Sequence, residues 1–204
     1  MTKNRVFRSL AFFGLLGAAV ALVGLTQGAP QSAEAADGGR LAHATVRDVN
    51  GTALGTINLV QDRGKIAVSG RLTGIAPGFH GFHVHSVGIC DPRATDATGA
   101  VVPFASAGPH LNPGGVGHGG HAGDLPLLYV AADGTTITTT STDRLTAALL
   151  FDTDRSAIIV HAAADNYANI PTRYSAAGVP GPDAATLGTG DAGARFACGI
   201  VNRG

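Results

Sequence analysis

Six of the eight histidines in this chain of 204 residues fall in short motifs whose spacing suits metal ligation. His83 and His85 stand two apart in Gly81-Phe82-His83-Val84-His85. Residues at i and i+2 of a β-strand face the same side, so both imidazoles can share an ion while Val84 enters the core behind them. Taken alone, the pair fits polar alternation on a surface equally well. A second group lies in Gly108-Pro109-His110-Leu111-Asn112-Pro113 and His118-Gly119-Gly120-His121-Ala122-Gly123-Asp124. Three imidazoles and a carboxylate are donors that zinc accepts in tetrahedral geometry. A glycine-rich loop that merely tolerates histidine is the competing reading, but the apolar run at 125–130 follows Asp124 directly and gives the loop an anchor. The third motif is Ile158-Ile159-Val160-His161. A histidine ending such a run is usually a satisfied core residue, yet Asp165 follows four positions on and offers a carboxylate to orient metal-bound imidazoles.

Short β-rich runs must position these groups. Residues 41–48, 52–61, 65–73 and 81–87 carry period-two patterning or β-branched side chains. Asn50-Gly51 and Asp62-Arg63-Gly64 separate the first three as consecutive hairpins. Strands resume at 125–132 and 135–142 around Asp133-Gly134, then at 156–161 and 195–202. A helical turn is expected at 142–148. This spacing, without a long helix, predicts an all-β sandwich or barrel. Two connections, 88–123 and 162–194, are too long for simple turns, and long ordered loops usually carry function.

Composition agrees with many turns and an aliphatic core: there are 30 glycines, and only 5% of residues are aromatic. Fourteen basic residues balance fourteen acidic ones, so no overall field favours nucleic acid, and guidance of a charged substrate must be local. Lys3, Arg5 and Arg8 precede an uncharged apolar run at 10–25, and Ala33-Glu34-Ala35 offers a small-residue cleavage pattern. Residues 1–36 therefore read as a signal peptide with its cleavage region, 37–40 as a short flexible tether, and 41–204 as the single domain. An uncleaved membrane anchor is the alternative, because the run approaches bilayer-spanning length. The protein is expected outside the cytoplasm, secreted, periplasmic or at the cell surface, meeting a membrane only through the signal segment. In such an oxidising compartment Cys90 and Cys198 favour one disulfide over two buried thiols.

Residues 81–85, 108–113, 121–124, the His161 strand and Gly193-Ala194-Arg195-Phe196-Ala197-Cys198-Gly199 together resemble the copper/zinc superoxide dismutases, in chain order and across nearly the whole mature sequence. The Ala164-Asp165-Asn166 segment is similar to the exported bacterial branch. The resemblance implies a Greek-key β-sandwich, or flattened barrel, with two long functional loops. Copper would be held by His83, His85, His110 and His161, and zinc by His110, His118, His121 and Asp124, with His110 bridging. Asp165 would hydrogen-bond one ligand of each metal, and Cys90–Cys198 would be the family's disulfide. Arg195 would attract and position superoxide, while His110 would take up a proton and pass it to the nascent peroxide as copper cycles between Cu(II) and Cu(I). The oligomeric state is implied only as monomer or homodimer. His80 is expected to tie backbone segments together, and His43 to be exposed.

Two departures from the family pattern stand out. Only Gly119-Gly120 separates His118 from His121, much shorter than the usual zinc subloop, although glycine can make the tight turn required. The second long loop offers only Arg173, Asp183 and Asp191 over 166–191, so electrostatic steering should be weak. A rival reading is an exported copper-buffering protein without turnover, against which the complete ligand set and Arg195 count. A zinc-stabilised adhesive domain would leave His83, His85 and His161 without purpose.

Overall fold

A computed structural model describes residues 39–204; the expected signal segment and half of the tether, residues 37 and 38, lie outside the described residues. The chain opens with three antiparallel strands in succession: β1 (Arg40–Asp48), β2 (Ala53–Asp62) and β3 (Lys65–Leu72). Arg40, placed in the tether by the sequence reading, already pairs with Val60. An unexpected short strand, β4 (Gly78–His80), precedes the run expected at 81–87, which contracts to β5 (Phe82–His85); the two are separated at Gly81, whose N–H donates to the Ala163 carbonyl. Next come β6 (Leu128–Val130), β7 (Thr136–Thr142), the short helix α1 (Ala147–Leu150) and β8 (Ala157–His161). The second long loop contains a small hairpin, β9 (Ser175–Ala176) with β10 (Val179–Pro180), and a helix, α2 (Ala184–Thr189). β11 (Arg195–Ile200) and β12 (Asn202–Arg203) finish the fold.

The main sheet is antiparallel, in the order β5-β8-β11-β1-β2-β3-β7, with β12 against β1 and the pair β4–β6 as a separate ladder. β11 thus returns from the far end of the chain to lie beside β1, giving the Greek-key, all-β architecture expected. Alternation builds the core: Ala42, Ala44 and Val46 of β1, Ile57 and Leu59 of β2, and Ile66 and Val68 of β3 point inward to meet Phe82, Val84, Ile158 and Val160.

Two boundaries moved for local reasons. Pro126 has no N–H to give a ladder, so the strand expected at 125–132 contracts to β6. The helical turn expected at 142–148 starts later, because Thr146 is its N-cap and accepts a hydrogen bond from the Leu149 N–H.

The opposite face of β5 and β8 carries the chemistry. Ala157 and Ile159, together with Cys198 of β11, form a smaller apolar cluster under Phe104 and Ala107 of the first long loop. Cys90 and Cys198 are joined, with Cα atoms 5.7 Å apart and a sequence separation of 108, so the bond staples this loop onto β11. Closing a loop of that length removes much unfolded-chain entropy. Replacing both cysteines by serine should therefore lower unfolding free energy by about 2–5 kcal/mol, read by urea denaturation of the metal-free protein.

Candidate metal centre

His83 and His85 project from one side of β5, while Phe82 and Val84 enter the core on the other. Isolated backbone bridges join His83 to Asp124 and His85 to His110, bringing the glycine-rich loop against the strand. Gly123 makes the closest approach: its carbonyl accepts from the Val84 N–H at 2.8 Å, and any Cβ there would run into the Val84 carbonyl oxygen. His161 ends β8 as the cross-strand partner of Arg195, and its N–H donates to the Gly81 carbonyl.

His83, His85, His110 and His161 are all buried, and each offers a ring nitrogen within 4.8 Å of the others. Hydrogen bonds determine which nitrogen is free. His85 Nδ1 donates to the Gly108 carbonyl at 2.8 Å and His161 Nδ1 to the Gly193 carbonyl at 3.0 Å, leaving their Nε2 atoms facing one another at 3.4 Å. His83 is oriented the other way. Its Nε2 donates to Asp165 Oδ2 at 2.5 Å, and its Nδ1 is buried without any partner. A buried polar atom left unsatisfied is costly, and this one belongs to the four-imidazole set.

In the second set, five of the six distances among the donor atoms of three imidazoles and a carboxylate lie between 3.2 and 3.4 Å. The Nδ1 atoms of His118 and His110 each lie 3.4 Å from His121 Nδ1. Asp124 Oδ1 is 3.3 Å from His110 Nδ1, 3.3 Å from His118 Nδ1 and 3.2 Å from His121 Nδ1. Edges near 3.3 Å place the centre about 2.0 Å from each vertex, the distance at which zinc binds nitrogen and carboxylate oxygen. His83 also reaches within 4.8 Å of His110, His118 and Asp124, with its Nε2 given to Asp165. Asp124 Oδ1 is the second buried orphan of the site, while Oδ2 accepts from the N–H groups of Gly119 and His121 at 2.8 and 3.0 Å. The two-glycine turn closes because Gly119 takes a left-handed φ of 85°.

Asp165 joins the sets. Besides His83 it receives His118 Nε2 at 2.9 and 2.8 Å and the Tyr167 N–H at 2.6 Å. Burial opposes its charge, but these donors outweigh the burial and hold the carboxyl well below its usual range. Burial, relieved only partly by Asp165, lowers His83 to about 4. Burial and the neighbouring His83 lower His161 to about 3. His85 is likewise driven far down, and His121 is lowered, chiefly by burial. Burial also pulls on His118, yet the Asp165 hydrogen bond and the nearby Asp124 charge raise it. Neutral imidazole is the form that ligates.

Arg195 lines an open cleft with His85, Pro109, His110, His161, Thr189 and Asp191. Its Nη1 and Nη2 donate to the Phe104 and Gly108 carbonyls at 2.5 and 2.6 Å, which hold the guanidinium at the cleft wall. Those carbonyls left no trace in the sequence, since any residue supplies one. His80 does bind two backbone segments, at the His161 and Ala76 carbonyls (2.7 and 2.8 Å). His43 departs from expectation: it is part-buried between Asn58 and Asn202, with Nδ1 unpartnered. Tyr167, not singled out by sequence, lies nearly parallel to the His118 ring and accepts the Leu127 N–H at 2.7 Å.

Residues 53–201 match the family model for copper/zinc superoxide dismutase (SODC). A superoxide dismutase [Cu-Zn] of Mycobacterium tuberculosis is 42% identical over 178 residues, covering 84% of this chain and 74% of its own. One of Brucella abortus is 34% identical over 157 residues, covering 74% and 80%. The solved Cu/Zn superoxide dismutase from Brucella abortus superposes with a TM-score of 0.59 at 31% identity, covering 78% of this chain and 98% of its own.

The imidazole shifts give a testable sign. A histidine with a folded pKa depressed below its unfolded value of about 6.5 binds fewer protons folded than unfolded, so stability is lost as pH falls below 6.5. His83, His85, His121 and His161 act in this direction and His118 alone opposes them. The metal-free protein should lose on the order of 2 kcal/mol for each of His83 and His161 between about pH 6.5 and 4.5. Urea midpoints across that range should fall steadily with acidification.

Proposed function

This chain belongs to the copper/zinc superoxide dismutase family, oxidoreductases that convert superoxide to dioxygen and hydrogen peroxide, and on that premise we propose the following assignment of its residues. His83, His85, His110 and His161 hold copper; His110, His118, His121 and Asp124 hold zinc. The observation that carries this is the membership of His110 in both sets: its Nδ1 is a vertex of the zinc tetrahedron, and Nε2 is the ring nitrogen left for the copper set. Both orphaned buried atoms, His83 Nδ1 and Asp124 Oδ1, would gain a partner. The donor chemistry fits as well, since imidazole suits copper and mixed nitrogen and oxygen ligands suit zinc.

Bound copper supplies reversible one-electron exchange, oxidising one superoxide and reducing the next. The protein does the rest. Arg195, fixed over the cleft by two carbonyls, attracts the superoxide anion and orients it beside His85, His110 and His161. His110 reaches the same cleft, so a proton taken up at Nε2 can be handed to the peroxide as it forms. Asp165 keeps His83 and His118 in the tautomers that present Nδ1.

The charged residues of the second loop support the weak-steering reading. Asp183 caps α2 by accepting from the Thr186 N–H, Asp191 accepts from Asn166 and the Thr186 hydroxyl, and Arg173 lies over the Tyr174 ring. None of these is a cation at the cleft, where Arg195 carries the attraction beside the Asp191 carboxylate. A copper carrier without turnover would have no use for a guanidinium locked over the cleft. The Cys90–Cys198 bond accords with an oxidising compartment. We place the working protein outside the cytoplasm, with 1–36 removed as a signal peptide, acting as monomer or homodimer.

Protein beginning at Asp37, reconstituted with both metals, tests the assignment by elemental analysis and dismutation assay on one sample. One copper, one zinc and rapid turnover are expected; bound copper with no turnover would leave only a carrier. In the same assay Arg195→Ala should keep its copper but lose about 10-fold or more in rate at low ionic strength, together with most of the salt dependence.

A further inference from the structure

The shortened zinc turn poses a mechanical problem. Four residues, His118 to His121, must present two ligands with almost no loop of their own to pack, and glycine at two of the four positions leaves the backbone loose in the unbound state. Asp124 restrains one side by accepting the N–H groups of Gly119 and His121. Those bonds hold the peptide nitrogens; of the carbonyls, that of His121 receives only the Asp124 N–H, at 3.3 Å, and that of Gly119 has no backbone donor among the described residues, so the turn has room for a further partner.

That partner is Arg144. Its Nη1 donates to the Gly119 carbonyl at 2.9 Å and to the His121 carbonyl at 3.3 Å, reaching across 25 and 23 residues of sequence. Both of its side-chain hydrogen bonds among the described residues go to peptide oxygens of this turn. Arg144 is itself anchored. Its backbone N–H donates to Thr142 Oγ1 at 3.1 Å, at the end of β7, and the next residue, Leu145, is 2% exposed in the main core. Charge-assisted hydrogen bonds are roughly twice as strong as neutral ones, and here one guanidinium nitrogen serves the carbonyls on either side of Gly120.

We propose that Arg144 is a positioning residue for zinc: it straps the two-glycine turn to the barrel, taking the place of the longer subloop, and so sets zinc affinity without touching the metal. The inference rests on the assignment of His110, His118, His121 and Asp124 as the zinc ligands. It distinguishes Arg144 from Arg195, whose guanidinium serves the cleft on the copper side.

The test uses the mature protein and its Arg144→Ala and Arg144→Lys variants. Zinc affinity is measured by chelator competition, and the geometry of the site is read from the visible absorption of cobalt(II) bound in place of zinc. Arg144→Ala should bind zinc about 10–100-fold more weakly, as loss of a residue supporting metal ligands typically does. Its tetrahedral cobalt bands should weaken, and added methylguanidinium should restore part of both. Arg144→Lys, which keeps a cationic donor but not the planar fork, should fall between. The thermal midpoints of the zinc-free variants, compared with zinc-free wild type, reveal any general loss of fold, and the lysine variant carries the test if the alanine variant does not fold. Wild-type affinity and an unchanged cobalt spectrum in both variants would overturn the role of Arg144. A wild-type protein that gives no tetrahedral cobalt spectrum would instead overturn the ligand assignment on which it rests.

Discussion

The carboxylate of Asp165, buried between His83 and His118, is the constraint on which both sets of ligands depend. By accepting from the Nε2 atom of each ring it fixes two tautomers at once, so both rings must turn Nδ1 towards their respective centres. An anion in that position would be expensive alone. It is tolerated because it receives donors from two imidazoles and from the Tyr167 N–H. With Nε2 given to Asp165, the Nδ1 of His83 is turned to a position where no protein donor reaches it.

Around that carboxylate the fold supplies rigid surfaces. The inner faces of β5 and β8 are core, and their outer faces carry His83, His85 and His161 on a second apolar cluster roofed by Phe104 and Ala107. The Cys90–Cys198 bond holds that roof in place. Because the roof also provides the Phe104 and Gly108 carbonyls, the bond that stabilises the domain helps to seat Arg195, and Gly108 at the same time orients His85. Stability and site geometry are carried by the same contacts.

Charge is used sparingly and locally. The full chain has no net charge, and without Lys3, Arg5, Arg8 and Glu34 of 1–36 eleven basic residues face thirteen acidic ones, so the overall field cannot draw an anion from a distance. The acids and the arginine of the second long loop are occupied in capping, hydrogen bonding and stacking. At the cleft the guanidinium of Arg195, whose own carbonyl partners are uncharged, shares the lining with one carboxylate, Asp191.

The sequence by itself determined the class of fold and the donor inventory, because both are written in local pattern. Period-two alternation in β1, β2 and β3 depends only on which side chains face inward, and the His83/His85 spacing has meaning only on such a strand. The ordered motifs carried the resemblance that grouped His110, His118, His121, Asp124 and His161. Element limits were less legible: a proline at 126 shortened a strand and a threonine cap at 146 delayed a helix, each by a few residues. Only the tertiary structure decided which nitrogen of each ring is free, that His161 and Arg195 are cross-strand partners, and that Arg144 grips the zinc turn. Each of these depends on a backbone carbonyl or a strand register brought together from distant parts of the chain. A peptide oxygen is the same in every residue, so no sequence pattern marks the ones that matter.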